Sequence, residues 1–469
     1  MIGADNKEDI IDQGFRDSVA TISQKGKRNY IFPKKPKGKL YNKRTLFSIF
    51  YLAIFLILPW IKVNGEPFIM LNVLKRKFIL FGQIFGPQDF FIFALGMLTF
   101  VVFIILFTVI FGRVFCGWAC PQTIFMEMVF RKIEYWIDGD YTKQQQLKAM
   151  PLNAFKLRKR ATKIVVFYIV SFIIANYFMA YLISMDEVLR YVDEGIAAHL
   201  NTFLPLIGFT SIFFFVYYWF REQVCIVVCP YGRLQGVLLD KNSIVVAYDY
   251  LRGEPRGKKT TEESEFGDCI DCKACVRVCP TGIDIRNGTQ LECINCTACI
   301  DSCNEIMENI GRPKDLIKFA SENNIVKKEK LKFNLRIKAY SVVLILIASA
   351  LVAMLITRDD VDITILRTQG MIYQALPDGY TGNLYTARMF NKTHEDILLG
   401  MNTASGQGEI QILGKQPVVK KESYAIITFL IKKKTNTIDK RKTDINIDFY
   451  VDDKKITTKK TTFIGPMGL

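Results

Sequence analysis

The chain has 469 residues, of which 50% are hydrophobic, with a positive mean hydropathy and a formal net charge of +17. A soluble protein rarely combines this apolar content with this charge, whereas a membrane protein with basic loops on one side commonly does. The basic residues lie beside apolar segments and form no recognisable nucleic-acid-binding module, which excludes nucleic acid as a partner and predicts contact with membrane lipid.

The first 44 residues carry eleven Lys and Arg side chains, and they predict a basic segment ahead of a set of membrane spans. Each predicted span is apolar and long enough to cross a hydrocarbon core of about 30 Å. The five spans cover about 45–61, 89–111, 163–184, 203–220 and 339–357. The apolar stretch 68–82 contains three consecutive basic residues, so we interpret it as a loop or interfacial element.

The distribution of charge predicts the orientation of the spans. Loop 112–162 holds nine basic residues, whereas loop 185–202 holds one Arg and four acidic residues. Basic loops stay in the cytoplasm, which places the N-terminus, loop 112–162 and segment 221–338 there. The tail 358–469 is then expected outside, in the periplasm of a bacterium. All twelve cysteines fall at predicted cytoplasmic positions, where metal or redox chemistry is more common than disulfides.

Two cysteine pairs stand at the predicted inner ends of the second and fourth spans. Cys116 and Cys120 lie in "FCGWACPQ", and Cys225 and Cys229 lie in "CIVVCPYG". The i, i+4 spacing places each pair on one helix face, and the proline after each second cysteine predicts that the helix ends or kinks there. Both spans end on the same membrane side, so we expect these four membrane-edge cysteines to converge.

Several kinds of chemistry suit the membrane-edge cysteines. Four soft thiolates suit Cu(I), and the same four side chains can instead hold a third iron–sulfur cluster. Alternatively, each pair can cycle between dithiol and disulfide, or the four can simply pack as small hydrophobic residues. Basic neighbours such as Arg113 and Arg221 are expected to favour the thiolate form.

The segment after the first pair, "QTIFMEMVFRKIEYWID", has apolar residues at helical spacing. It predicts an amphipathic helix that lies on the inner membrane surface or packs on the neighbouring domain.

The other eight cysteines occur in two runs, "CIDCKACVRVCP" (269–280) and "CINCTACIDSC" (293–303). The Cys-x2-Cys-x2-Cys-x3-Cys spacing is typical of two-cluster ferredoxins, in which the fourth cysteine of each run binds the other [4Fe–4S] cluster. This exchange defines the cluster I cysteines as Cys269, Cys272, Cys275 and Cys303. It defines the cluster II cysteines as Cys279, Cys293, Cys296 and Cys299. Two zinc sites are the alternative, although zinc does not need the third cysteine of each triplet.

The tail after residue 358 has the pattern of a β domain. "INIDFYV" (445–451) alternates apolar and polar residues, and "YAIITFLI" (424–431) is a denser β run. About 100 residues with several short strands predict a β-sandwich.

These motifs together resemble the CcoG family of cytochrome c oxidase accessory proteins, also called FixG or RdxA. The segments that carry the resemblance are "GRVFCGWACPQT", "CPYGRLQGVLLD", "YDYLRGEPRG", both cysteine runs and the terminal "FIGP". One departure is Asn304, which follows the second run where the first has a proline.

The resemblance implies a bacterial inner (cytoplasmic) membrane protein that serves assembly of cbb3-type cytochrome oxidase. It further implies an immunoglobulin-like tail and a cupric reductase activity, with the membrane-edge cysteines as catalytic copper ligands. The implied partners are the oxidase assembly machinery and copper-handling proteins, and the electron donor is unknown. Two alternatives remain: a polyferredoxin-type module that links the quinol pool to a reductase, and a copper chaperone with structural clusters.

The expected fold is therefore multidomain. An α-helical membrane domain precedes a cytoplasmic two-cluster ferredoxin-like α+β domain, and a β-sandwich follows the last span. The predicted boundaries are 1–44 for the basic segment, 45–240 for four spans, 241–338 for the ferredoxin domain, 339–357 for the fifth span and 358–469 for the β domain.

Overall fold

A computed structural model provides the fold. It describes residues 21–22, 27–73, 77–86, 89–257, 266–328, 335–358, 361–368, 372–393, 395–403, 408–414, 418–421, 423–438, 440–451 and 454–466. Much of the basic segment 1–44 therefore lies outside the described residues.

Fifteen α-helices occur in the described part of the chain. They are α1 Lys39–Ile57, α2 Phe90–Phe111, α3 Val114–Trp118, α4 Pro121–Ile124, α5 Arg131–Ile137, α6 Tyr141–Ala149, α7 Ala154–Ile183, α8 Met185–Glu194, α9 Leu200–Phe215, α10 Pro230–Leu238, α11 Tyr250–Gly253, α12 Ala274–Arg277, α13 Ala298–Asn309, α14 Glu322–Lys327 and α15 Leu335–Ile356. Three π-helical segments adjoin them at Phe125–Phe130, Val216–Phe220 and Val224–Val228.

Sixteen strands are described in the same ranges. They are β1 Lys62–Val63, β2 Glu66–Pro67, β3 Ile69–Asn72, β4 Lys77–Leu80, β5 Gln83–Phe85, β6 Val245–Tyr248, β7 Ile317–Ala320, β8 Val361–Arg367, β9 Gln374–Leu376, β10 Tyr380–Asn391, β11 Ile397–Thr403, β12 Glu409–Ile412, β13 Val418–Val419, β14 Tyr424–Lys434, β15 Lys442–Val451 and β16 Lys454–Ile464.

Five helices are long and apolar enough to cross a membrane, which confirms the five predicted apolar helices. They cover Lys39–Trp60, Phe90–Phe111, Ala154–Ile183, Ile196–Phe220 and Leu335–Ile356. Three of them, Lys39–Trp60, Ala154–Ile183 and Ile196–Phe220, begin well before the predicted spans, because each helix continues through polar or charged residues ahead of its apolar core. The orientation of the spans and the domain boundaries stay predictions.

The chain divides into two compact units. The first comprises 1–57, 96–180 and 186–348, and the second comprises 58–95, 181–185 and 349–469. In the first unit, β6 pairs antiparallel with β7 beside the short cysteine-bearing helices α12 and α13.

The helical segment after the first cysteine pair lies inside the helix bundle of the first unit. Phe125, Met126 and Phe130 are buried against the spanning helices, and the Phe130 ring stacks on Tyr217 with centroids 4.6 Å apart. The Arg131 side chain is only 1% exposed. The interpretation of this segment as a helix on the membrane surface is therefore wrong, because its apolar face packs on α7 and α9.

The second unit contains the predicted β-sandwich. One sheet has the strand order β12-β14-β10-β8, with β9 paired to β10, and the other has the order β13-β11-β15-β16. Side chains of both sheets meet in one core, where Tyr385, Phe429, Phe449 and Phe463 are fully buried. The two predicted β runs lie within β14 and β15.

The apolar stretch 68–82 forms part of an antiparallel sheet, β3-β4-β5, and not a simple loop. Met70, Ile79 and Ile84 pack against Phe390 of the sandwich. Local sequence did not predict these strands, because the apolar surface that they cover belongs to β10, about 300 residues further along the chain.

We expect Ile79→Val to lower the free energy of unfolding of this unit by about 1 kcal/mol, since the Ile79 side chain is fully buried. Thermal unfolding of the full-length protein in detergent measures the change. Val73→Ala removes apolar atoms from a side chain that is 66% exposed and provides the control. Equal effects of the two substitutions would contradict the packing of β4.

Candidate functional site

The two cysteine runs fold into loops of the same shape. Asp271 and Lys273 in the first loop adopt positive φ angles of 52° and 55°, and Asn295 and Thr297 in the second adopt 52° and 68°. Asp271 and Asn295 have short polar side chains of the kind that tolerates this left-handed conformation, whereas Lys273 and Thr297 do not. Each loop curls around its first two cysteines and then enters a short helix, α12 or α13, that carries the third.

Each loop borders a separate cavity. The four cluster I cysteines line one cavity together with Tyr248 and Arg286. The four cluster II cysteines line the other together with Thr281 and Thr297. Cys275 borders both cavities, so the two sites are neighbours within the first unit. The structure thus groups the eight side chains in the two sets that the exchange of the fourth cysteine predicts.

The third cysteine of each triplet shares a cavity with the other three members of its set. A zinc site does not need this third cysteine at the observed spacing, whereas a [4Fe–4S] cluster uses four thiolates. Within the described ranges, no group of three or more His, Cys, Asp or Glu side chains is arranged to hold a single metal ion.

The membrane-edge cysteines lie where the chain changes direction. Cys116 is in α3, and Cys225 is in the π-helical segment Val224–Val228. Cys120 and Cys229 have extended backbones, with ψ angles of 125° and 108°, and each stands directly before the proline that begins a new helix. The predicted interruption of the helix before each proline is therefore present.

The four membrane-edge thiols lie near one another. Burial, together with the neighbouring Cys120, Cys116 and Cys229, raises the pKa of Cys225 to about 12. Burial likewise raises the pKa of Cys116 to about 11. Arg113 favours the thiolate form of Cys116, in the predicted direction, but burial outweighs it.

Arg221 pairs with Glu134 and not with the membrane-edge cysteines. Its guanidinium group makes a two-pronged contact with the Glu134 carboxylate, at 2.8 and 3.2 Å. Arg113 lies closer to the site and donates from Nε to Gln235 Oε1 at 3.1 Å. The same oxygen accepts a hydrogen bond from Cys116 Sγ at 2.9 Å.

The loop of the first membrane-edge pair contacts the second cluster loop directly. A Cβ atom on Gly117 would overlap the carbonyl oxygen of Ile294 and lie 3.2 Å from the backbone of Cys296. Trp118 Nε1 donates to the Asn295 carbonyl at 3.3 Å. Cys116 and Cys296 belong to one buried cluster of side chains. A membrane-edge thiol is thus packed close to a cluster II ligand position.

Buried polar atoms at this junction lack partners within the described part of the protein. Gln122 Nε2 and Thr123 Oγ1 follow Cys120, and Asn295 Nδ2 lies between two cluster II cysteines. Such donors are costly to bury without an acceptor. The sulfur atoms of a bound iron–sulfur cluster or of metal-bound cysteines would supply these acceptors. The unpaired donors are therefore a second observation that fits bound metal centres here.

Sequence reasoning missed Arg44 and the segment before it. Arg44, at the start of α1, donates from Nε to the Gly117 carbonyl at 2.8 Å. Ahead of it, Lys34 N donates to the Arg277 carbonyl at 2.8 Å, and Tyr41 N donates to the Asp301 carboxylate at 2.7 Å. A basic run before an apolar span is common in membrane proteins, so no local signal distinguished these residues from ordinary loop charges.

Family profiles match three parts of the chain. A 4Fe-4S dicluster domain matches residues 220–322, and a 4Fe-4S binding domain matches residues 93–141. The IG-like fold at the C-terminal of FixG matches residues 351–466. The chain therefore carries iron–sulfur binding domains and an immunoglobulin-like C-terminal domain.

Relatives align over most of the chain. Protein RdxA of Cereibacter sphaeroides is 34% identical over 384 residues, which cover 79% of this chain and 81% of RdxA. Protein RdxB of the same organism is 34% identical and covers 80% of this chain and 82% of RdxB. Nitrogen fixation protein FixG of Rhizobium meliloti is 35% identical over 63% of this chain and 58% of FixG. With its five apolar helices and iron–sulfur domains, this chain belongs to the FixG/RdxA family of multi-pass membrane iron–sulfur proteins.

Proposed function

We propose that the chain is a membrane-bound one-electron oxidoreductase that reduces Cu(II) to Cu(I) at the four membrane-edge cysteines. The observation that carries this proposal is the contact of Gly117 with the Ile294–Cys296 backbone. Because of this contact, an electron would cross only a short stretch of protein between a cluster II ligand position and Cys116.

The cluster I and cluster II cysteines are the proposed ligands of two [4Fe–4S] clusters. Their grouping around two neighbouring cavities supports this assignment. When bound, each cluster supplies a site that takes up and releases one electron. The protein holds the two sites side by side through Cys275, which borders both.

The chemistry of sulfur ligands favours the proposed product. Cu(I) is a softer ion than Cu(II) and prefers thiolate ligands, so the membrane-edge cysteines bind the reduced ion more tightly than the oxidised ion. Each reduction consumes one electron, which a soluble one-electron donor protein supplies and thereby becomes oxidised. Since Cys116 and Cys225 are thiols before the metal arrives, copper binding displaces their protons.

The proposed location is the bacterial inner membrane, with the N-terminus in the cytoplasm and the immunoglobulin-like domain in the periplasm. The basic loop 112–162 and the positions of the twelve cysteines support this orientation. The proposed partners are the assembly machinery of cbb3-type oxidase and copper-handling proteins, which the family resemblance implies. The reduced copper would serve the oxidase copper site.

A third [4Fe–4S] cluster on the membrane-edge cysteines is the second candidate. The 4Fe-4S binding domain profile covers Cys116 and Cys120. The described residues also present no site for a single ion, so copper would have to draw the four thiols closer together. In this case the membrane-edge site extends the electron path and does not bind the substrate.

The test uses full-length protein purified in detergent without oxygen. Chemically reduced protein is expected to convert Cu(II) to Cu(I), as measured by a Cu(I)-specific chelator. Cys116→Ala and Cys225→Ala are expected to abolish most of this conversion while the absorption of the two ferredoxin-type clusters persists. Ser211→Ala, on an exposed face of α9, is the control and should reduce copper normally.

Iron content and substrate choice separate the candidates. About eight iron atoms per chain support copper at the membrane-edge cysteines, whereas about twelve, falling to about eight in Cys116→Ala, support a third cluster. Undiminished copper reduction by both cysteine variants would overturn the proposal. Quinol oxidation without copper turnover would favour the polyferredoxin alternative, and copper binding independent of the redox state would favour the chaperone.

A further inference from the structure

Arg44 places a buried positive charge beside the cluster II cysteines. Its side chain is only 2% exposed, and its Nε atom is held by the Gly117 carbonyl. Its Nη2 atom is buried without a hydrogen-bond acceptor among the described residues. The residue that holds the Nε atom, Gly117, packs against the backbone of Ile294 and Cys296, so the guanidinium group lies beside the cluster II loop. An acceptor such as a cluster sulfur would satisfy the free Nη2 donor.

The arginines beside the two sets of cysteines differ in whether an acidic side chain neutralises their charge. Arg44 is held at the Gly117 carbonyl beside the Cys296 backbone. Arg113 donates to the neutral Gln235 side chain, so neither contact supplies a counter-ion. The carboxylate of Glu127 is paired with Arg131 at 2.9 Å.

Beside the cluster I cysteines, in contrast, the cations are paired. Arg286, which lines the cluster I cavity, forms ion pairs with Asp284 at 2.6 Å and with Asp271. Arg252 pairs at 2.6 Å with Asp268, the residue before Cys269. The cluster I site thus receives little net positive charge from its surroundings.

We infer that Arg44 raises the reduction potential of the cluster II site above that of the cluster I site, so that electrons arrive at cluster I and leave through cluster II. Reduction adds one negative charge to a cluster, and an uncompensated cation or a hydrogen bond to sulfur stabilises the reduced form. Arg44 is a positioning and tuning residue in this role, because it acts on the sulfur ligands and touches no substrate. The inference rests on the two clusters of the proposed function.

The direction of electron flow follows from this difference. The cavity of the cluster II cysteines is lined by Ile294, which contacts Gly117 beside Cys116, whereas the lining of the cluster I cavity does not include Ile294. With both clusters bound, an electron from a donor protein would pass from the cluster I site to the cluster II site, towards the higher potential. The donor is expected to dock on the cluster I side.

The test is a redox titration of the full-length protein in detergent, with both clusters monitored by electron paramagnetic resonance. Arg44→Gln is expected to make one midpoint potential more negative, with a shift equivalent to at least a tenfold change in the reduction equilibrium, or about 59 mV. Arg44→Lys keeps the charge and should retain most of the wild-type value. Lys43→Gln removes the same charge from an exposed neighbouring position and should shift neither potential.

A complementary variant acts on the other site. Asp271→Asn removes one partner of Arg286, and asparagine tolerates the positive φ angle of this position. It is expected to make the other midpoint potential, that of cluster I, more positive. This variant leaves Arg44 in place, so it tests the charge argument even if Arg44→Gln protein fails to assemble.

The outcomes distinguish this inference from the proposed function. Fewer than two clusters per wild-type chain would defeat the function itself. If both clusters are intact, any of three results would overturn the inference alone. Arg44→Gln could shift neither midpoint potential, both variants could shift the same potential, or Arg44→Gln could shift the lower of the two wild-type potentials.

Discussion

Glu134→Gln is expected to lower the free energy of unfolding of the first compact unit by about 3–5 kcal/mol, the usual cost of breaking a buried ion pair by removing one partner. Glu134 and Arg221 are only 3% and 2% exposed, and the carboxylate also accepts a hydrogen bond from Lys163 Nζ at 2.6 Å. Glutamine keeps the size of the side chain but removes the charge, so Arg221 and Lys163 lose the counter-ion that they share. Arg221 is left with Glu222 at 3.8 Å and Lys163 with Asp138 at 2.8 Å.

The same pair holds a strained turn ahead of the second membrane-edge pair. Arg221 has a φ angle of 54°, a conformation that costs a residue other than glycine about 1–3 kcal/mol. Its contact with Glu134 fixes this turn between the π-helical segment Val216–Phe220 and the segment Val224–Val228, which contains Cys225. Besides losing stability, the Glu134→Gln protein is therefore expected to reduce copper more slowly, because Cys225 is held less firmly.

The dependence of stability on pH provides a further check. Burial alone would raise the pKa of Glu134, but Arg221, Lys163 and Arg131 outweigh burial and lower the pKa to about 2. The stabilisation is therefore complete above the ordinary pKa of 4.5 and is lost as the pH falls towards 2. The Glu134→Gln protein should lack this component of acid sensitivity.

Thermal unfolding in detergent between about pH 2 and 7 measures these effects. The control is Glu187→Gln, which removes a carboxylate from a surface ion pair with Arg190, a side chain that is 55% exposed. Surface pairs of this kind contribute about 0–1 kcal/mol. A loss of stability in Glu134→Gln no larger than in this control would refute a structural role for the buried network.

Gly117→Val is expected to separate the first membrane-edge pair from the second cluster loop. Even one added carbon would overlap the Ile294 carbonyl, and backbone atoms cannot rotate away as a side-chain end can. Overpacking of this kind costs about 1–3 kcal/mol. The two loops must move apart, so the transfer of an electron towards Cys116 should slow by at least about tenfold.

Rapid mixing of reduced protein with Cu(II) measures this rate, and absorption verifies that the clusters remain. Gly208→Ala is the matched control, because an added Cβ on that helical glycine meets nothing within 4 Å. Gly117→Ala should lie between the wild type and the valine variant. If both Gly117 variants transfer electrons at the wild-type rate, the contact does not carry the electron path.

The sequence alone determined the elements whose signals are local. Length and apolarity predicted five spanning helices, and the spacing of eight cysteines predicted an iron–sulfur domain. Period-two alternation predicted a strand that lies within β15, and a dense β run predicted one that lies within β14. These signals are readable because a helix, a strand and a cysteine loop each depend on residues that are close in sequence.

Only the tertiary structure decided which distant segments touch. Arg44 resembles any basic residue before a span until the fold brings it to the Gly117 carbonyl. Stretch 68–82 becomes a sheet because Phe390 offers it an apolar surface, and Arg221 faces Glu134 and not the thiols. Such contacts depend on the burial and charge of residues that are distant in the chain, and local periodicity carries no information about them.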